Sequence, residues 1–450
     1  MVKSTLNVHI FEHRGSWYAF NPVTVHVVPL EPDEAAFLKA KADIDEPCVG
    51  SSLGWDPSRI TTMKDTLSKK GLLSSSGSDP APATPRREKV EILVNASQTC
   101  NLACEYCFVD EGKFNYDDSR VMHLSTDLAE RLIHVLPEAL PWVTEFCIHF
   151  YGGEPLLNVA AMRKAVEVAK AYNGLYTFAI TTNGTIVSDE AISVLKDGKF
   201  SVVLSIDGPP HIHDGMRRTK NGEPTHDIVI KFLSLLREPP AVPVRGSAVI
   251  RKGWSLHEAE KYLNSLDVDL IKAQPVRLSE DHPLMLDKTE RQQYITDLGK
   301  VADTVINNLK EGKAPKDDRF NQRVLQVLQR TKRTSFCGAG EWSFGVAADG
   351  TVLPCVLLAG VPGTVLGHID DPPSTWVKQG KKWAHEHGPR TECASCWALP
   401  LCGGGCPAML HVCGEDECVL TRAHCELSLA IYGEFLDNKV DLLYLAGIGE

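Results

Sequence analysis

The stretch CNLACEYC, residues 100–107, places Cys100, Cys104 and Cys107 within eight positions, with Tyr106 just before the last. In a chain with no secretory signal, thiols clustered this tightly bind metal more often than they form disulfides. Three thiols are one short of the four that a structural zinc or a closed iron–sulfur cluster takes. A site built on this loop therefore leaves one coordination position open. Spacing alone does not name the metal.

The remaining cysteines are unevenly placed. Of fourteen in 450 residues, nine lie from Cys337 to Cys425, three are in the loop, and only Cys48 and Cys147 stand alone. Those two read as small buried side chains. An apolar content of 43% describes a globular chain, long enough for two or three domains. The net charge of −11 argues against broad affinity for nucleic acid. The N-terminal MVKSTLNVHIFEHRGSW lacks the apolar core of a signal peptide, and no run approaches a membrane span. A cytoplasmic chain with no membrane and no nucleic-acid partner is the expectation.

Four regions follow from composition and periodicity. Residues 1–71 form a small module: short strand-like runs at 8–11, 17–21 and 23–28, turns at 13–16 and Asn21-Pro22, and helices over 31–41 and 57–70. Residues 72–88 contain SSSGSDPAPATPRR and read as a linker. Residues 89–312 alternate strands (90–95, 146–151, 177–182, 201–206, 244–250 and 270–276) with helices, the last over 288–310. That alternation predicts an α/β fold with a parallel sheet, a partial (β/α)6 barrel. Residues 313–450 form the last region; from about Phe336 it is Gly- and Cys-rich with little periodicity, so metal is expected to supply much of its order.

In such barrels chemistry sits on loops at the C-terminal strand ends. There the sequence puts the three cysteines after the first strand and Gly152-Gly153-Glu154-Pro155 after the second. Thr182-Asn183-Gly184 follows the third, and Ser205, Asp207 and Gly208 end the fourth.

Together these residues resemble the radical S-adenosylmethionine (SAM) enzymes, with CxxxCxxC, its aromatic Tyr106 and the GGE motif in place. The resemblance implies that Cys100, Cys104 and Cys107 hold a [4Fe–4S] cluster whose fourth iron is chelated by SAM. One electron then cleaves SAM to a 5′-deoxyadenosyl radical that abstracts hydrogen. It further implies SAM contacts from Tyr106, Gly152, Gly153, Glu154, Ser205 and Asp207, with Arg245 a weaker candidate. The plain reading of Ser205 to Gly208 remains a strand end and a turn.

The C-terminal cysteines run C-x12-G-x4-C from Cys337 through Gly350 to Cys355. Then come Cys393-x2-Cys396-x5-Cys402-x3-Cys406 and finally Cys425. This resembles the SPASM extension of radical SAM enzymes that act on peptides and proteins; zinc is the generic alternative for CxxC pairs. The resemblance implies two auxiliary [4Fe–4S] clusters, hence three clusters in all. Cys393, Cys396, Cys402 and Cys425 would hold the outer one, and Cys337, Cys355 and Cys406 the inner one. Some members carry a further inner ligand where this chain has Ser343. That leaves three readings open: an open iron that a substrate thiolate fills, completion by Cys413 or Cys418, or two free thiols.

Residues 14–38 resemble a leader-peptide recognition element, in which a leader adds a strand to a sheet edge; 23–28 is the expected receiving strand. The alternative is a small subdomain that caps the barrel. CGAGEWSFGVAADGTVLPC and CWALPLCGGGC most resemble the branch that forges thioether bridges. The implied partners are a cysteine-containing precursor peptide with a leader and an electron donor such as flavodoxin or ferredoxin. Carbon–carbon crosslinking is a rival outcome, and an iron–sulfur carrier without catalysis is a third reading. Formylglycine-forming sulfatase maturases are similar overall, yet they typically place an Asp after the cysteine that Val356 follows here.

Overall fold

The computed structural model describes residues 8–43, 49–73, 88–112, 114, 122–413, 418–436 and 442. The expected linker and Cys48 therefore lie almost wholly outside the described residues.

Three antiparallel strands open the chain: β1 (His9–His13), β2 (Ser16–Asn21) and β3 (His26–Leu30). The first turn places Arg14 and Gly15 at positive φ, which suits a two-residue hairpin. The third strand begins three residues later than expected, because the Asn21 side chain accepts from the Val23 and Thr24 amides and holds them in a turn. Alternation in SWYAFN gives the small sheet two buried faces. Tyr18 and Phe20 join the main core, while Ala19 joins Val28, Leu30, Phe37 and Leu67 beneath the helices Pro32–Asp43 and Pro57–Lys69.

The main sheet has nine strands. Six are parallel and adjacent in chain order: β4 (Lys89–Ser97), β5 (Glu145–Gly152), β6 (Tyr176–Thr182), β7 (Ser201–Ser205), β8 (Val244–Ile250) and β9 (Leu270–Pro275). These match the expected strands within two residues, and the partial α/β barrel stands. Along β5, Phe146, Ile148 and Phe150 pack into the core, while Cys147, His149 and Tyr151 face the other way. That inner face is polar: His149 bonds to Glu91 at 2.8 Å and to Thr181 at 2.9 Å. The connecting helices carry their own starts. Ser125, Ser188 and Ser255 accept from first-turn amides, and Asp287 with Glu290 forms a capping box on Lys288–Lys310.

The C-terminal region holds more regular structure than its composition implied. β10 (Ser343–Val346) lies parallel to β4, with Ser343 opposite Glu91. β11 (Thr351–Leu353) and β12 (Gly367–His368) continue the sheet antiparallel. Helices Asp318–Leu328, Pro373–Glu386 and Cys418–Glu434 bury apolar faces, the last against both Lys288–Lys310 and the small sheet. Period hid Cys418–Glu434 because its polar residues are spread around the helix rather than gathered on one face, whereas Asp318–Leu328 is clearly amphipathic and was legible in principle. Among the described residues, no helix is long and apolar enough to cross a membrane.

Candidate active site

The cysteine loop leaves β4 and is fastened to the ends of its neighbours. Gly153 N donates to Ser97 O and Glu154 N to Thr99 O, both at 2.8 Å, so the β4–β5 ladder continues into the loop. Glycine is required at both positions. A Cβ on Gly152 would sit 2.4 Å from Ser97 O at a φ of +135°, and one on Gly153 would sit 2.2 Å from Thr99 O. On the other side Ala103 N donates to Arg218 O. The β6 loop clamps Asn101, whose amide donates to Thr185 while Asn183 donates to its oxygen.

Cys100, Cys104 and Cys107 are half-buried, and none is in a disulfide. Burial pushes Cys100 up to about 11 and Cys104 up to about 12, and Cys107 is also raised. The thiols act on one another: Cys107 raises both Cys100 and Cys104. Cys100 Sγ accepts from Leu102 N at 3.4 Å and Asn183 Nδ2 at 3.6 Å, and Cys107 Sγ from Glu111 N at 3.3 Å.

Beneath the loop Tyr106 donates to Asp207, and Arg217 Nε lies 3.2 Å from the same carboxylate oxygen. Asp207 also accepts from Val249 N, so this carboxylate, only 2% exposed, is held by three partners. Arg217 stands over the Tyr106 ring and is the cation that acts on Cys104 and Cys107. Glu154 is fully buried and accepts from Asn183 N, Leu156 N and Thr182 Oγ1. Burial raises its carboxyl to about 7.

The structure thus brings together Cys100, Cys104, Cys107, Tyr106, Gly152, Gly153, Glu154 and Asp207. Ser205 ends β7 opposite Ser247. Arg245 stands apart, 3.3 Å from Asp318 on the inner face. Two residues had no sequence signal. Arg217 caps the short helix Pro210–Met216 within HIHDGMRRTK, a stretch with no motif spacing. Asn95 sits five residues before Cys100 inside a strand, fully buried, with neither amide atom hydrogen-bonded.

In the C-terminal region Cys406 acts on both Cys337 and Cys355, Cys337 also acts on Cys355, and Glu91 acts on the same two. Cys402 acts on Cys425, which burial pushes up to about 11. Cys393 and Cys396 frame the short turn Thr391–Ser395. Cys418 Sγ accepts from Arg390 Nη2 at 3.3 Å; the Cys413 side chain lies outside the described residues. Ser343 is buried in β10. Burial raises the Tyr151 hydroxyl, and the next strongest influences on it are Cys107 and Cys355, so its ring lies within reach of both cysteine groups. Cys147 is half-buried rather than fully so. Among the described residues, no three His, Cys, Asp or Glu side chains converge closely enough to hold one metal ion.

The radical SAM superfamily profile matches residues 94–266. A serine-type anaerobic sulfatase-maturating enzyme of Bacteroides thetaiotaomicron is 33% identical over 144 residues, 31% of this chain and 34% of that one. A cysteine-type counterpart of Clostridium novyi is 25% identical over 335 residues, 70% and 87% of the two chains. Among solved structures, native anSMEcpe with bound AdoMet aligns over 77% of this chain and 99% of its own, with a TM-score of 0.65 and 20% identity. SuiB of Streptococcus suis bound to S-adenosylmethionine aligns over 90% and 95%, with a TM-score of 0.51 and 16% identity. The sheet order, the cysteine loop and these matches agree that the chain has the α/β radical SAM fold, with a Cys-rich region after it.

Proposed function

We propose that this protein is a radical SAM maturase of a ribosomally made peptide, which joins a cysteine sulfur to a carbon of an acceptor residue. The carrying observation is the fastened three-thiol loop, close-packed on Gly152 and Gly153 and bonded to the β5 end through the Gly153 and Glu154 amides. The relatives and neighbours above are named for sulfatase maturation or for SAM binding, which supports the wider class of peptide and protein maturases.

The donor set suits an iron–sulfur cluster. Three soft thiols share a loop, act on one another and do not converge on one ion. A cluster on Cys100, Cys104 and Cys107 with SAM bound would supply the 5′-deoxyadenosyl radical. The chain's own part is positioning. Gly152 and Gly153 let backbone approach the cofactor, and Glu154 ties the β5 and β6 ends together. The Asp207–Arg217–Tyr106 group fixes the floor of the loop. Asn95 offers a donor and an acceptor on the same face as Tyr151, its register partner. Cys337, Cys355 and Cys406 would hold the inner auxiliary cluster. Cys393, Cys396, Cys402 and Cys425 would hold the outer one; an auxiliary cluster would supply an acceptor for the one electron left after a carbon gives up a hydrogen atom and the cysteine thiol a proton.

The leader would add to β3, an edge of the small sheet. Pro29 in that strand has no N–H, and Lys70 Nζ takes its carbonyl at 3.1 Å. The usable edge is therefore the first part of His26–Leu30.

A second reading, formylglycine formation, is favoured by the names of the relatives. Against it, Val356 is a fully buried apolar residue at the position of the expected base. One experiment separates the readings: co-expression with a short cysteine-rich peptide encoded beside the gene, with intact mass recorded under reductant before and after alkylation. Loss of two hydrogens per bridge with a matching loss of alkylation supports thioether formation. The same loss with every cysteine still alkylated points to carbon–carbon crosslinking if the product takes up no hydrazine label, and to serine-derived formylglycine if it does. Loss of sulfur from the peptide points to formylglycine.

A further inference from the structure

On the open side of the barrel, past β9, lies a cavity of about 290 Å³. Its wall includes Lys272, Arg277, Arg323, Arg333 and Arg390, together with Asp318 and with Arg319, which is paired to Glu260 and Asp317, in a chain whose net charge is −11. The carboxylate is already engaged, since Asp318 pairs with Arg245. Three of the cations serve the C-terminal region. Arg323 contacts His424 at 2.8 Å, Arg333 donates to Phe336 O and Gln322, and Arg390 donates to Cys418.

Lys272 differs from these. It comes from the inner face of β9, and it has no hydrogen bond or ion pair to the described residues. Burial lowers its pKa and the Arg245 and Arg277 charges lower it further, outweighing the carboxylates of Asp318 and Glu91, which are engaged by Arg245 and His149. A half-buried ammonium among other cations is unfavourable unless an anion arrives to pair with it. Carboxylates are the anions that a peptide's side chains carry.

We propose that this cavity is a carboxylate subsite for an acidic side chain of the peptide substrate, with the Lys272 ammonium as its central donor and Arg277 beside it. The proposal rests on the peptide-maturase reading and adds the charge of the segment being modified. The rival explanation is that these cations only balance clusters on Cys402 and Cys406, which line the same cavity.

The test uses the full chain, reconstituted anaerobically with iron and sulfide. A fluorescein-labelled peptide of alternating glycine and glutamate is titrated by anisotropy beside its glycine–glutamine counterpart. The glutamate probe is expected to bind about tenfold tighter, the usual size of one charge-assisted hydrogen bond. Lys272→Met should bring the two probes within about twofold at unchanged iron content, and Lys272→Arg should keep the preference. Arg277→Gln, at a second position on the wall, should cut it about threefold and guards against misfolding of the Met variant. Equal binding of both probes to wild type overturns the subsite, as does a preference that survives Lys272→Met. Loss of iron from folded Lys272→Met protein also overturns it, in favour of the rival. Wild type that forms no 5′-deoxyadenosine would sink the maturase reading instead; wild type that cleaves SAM without charge preference sinks only the subsite.

Discussion

The two cysteine-bearing regions are built in opposite ways. In the barrel, loop 97–107 is tied to elements far off in sequence, by Gly153 N to Ser97 O, Glu154 N to Thr99 O and Ala103 N to Arg218 O. In the C-terminal region, the stretch from Cys393 to Cys406 makes mostly near-neighbour turns. Cys396 N donates to Cys393 O, Leu399 N to Cys396 O and Cys402 N to Ala398 O. Only Pro400 O reaches back, accepting from Arg333 N and Gln326. Turns of that kind order a few residues and oppose little of the chain entropy. The barrel presents thiols that protein bonds have already arranged, whereas mostly local turns hold the C-terminal thiols, so a metal bound there would be expected to supply much of their arrangement.

The comparison breaks most visibly on metal removal. Hydrogen exchange on chelator-treated protein should leave Gly153, Glu154 and Ala103 amides protected, while Cys396, Leu399 and Cys402 amides exchange freely. Equal loss in both regions would end the contrast. Next in size is Arg217→Met, which strands the buried Asp207 carboxylate and should cost about 3–5 kcal/mol in denaturant unfolding. Asp207→Asn in that background should recover part of it; no recovery would mean that the pair is not what holds the loop floor.

A pH effect of about 3 kcal/mol should follow from His213, fully buried beside Asp207 and lowered to about 4, by burial first and Arg217 second. The unfolded chain takes up this proton below its ordinary 6.5, the folded chain only below about 4. This stability is whole above pH 6.5 and is lost as pH falls toward 4. His213→Gln should flatten that slope in unfolding curves, and an unchanged slope would remove His213 from the account. The smallest effect belongs to Arg245→Met. Its partly exposed pair with Asp318 is worth at most about 1 kcal/mol, and the variant's SAM affinity by calorimetry should match wild type within about twofold. A large loss would restore Arg245 as a SAM contact.

The same contrast governs what was legible in the sequence. Barrel strands announce themselves by apolar runs and turn residues, so β4 to β9 fell within two residues of expectation. The cysteine and GGE spacings named the loop because its chemistry is local in sequence. What stayed hidden depends on distant packing. Arg217 acquires its role only once Asp207 is folded beneath Tyr106. β3 starts late because of an Asn21 side-chain turn, and β10 finds β4 across some 250 residues of chain. The helix Cys418–Glu434 lacks a polar stripe because it is covered on several sides.

The central claim is that the fastened three-thiol loop supports reductive SAM cleavage. The most direct test is to incubate anaerobically reconstituted protein with SAM and dithionite and quantify 5′-deoxyadenosine, beside Cys100→Ala treated identically. The account predicts product from wild type and none above background from the variant, which keeps only two thiols of the loop. Equal product from both, or none from iron-loaded wild type, would contradict it.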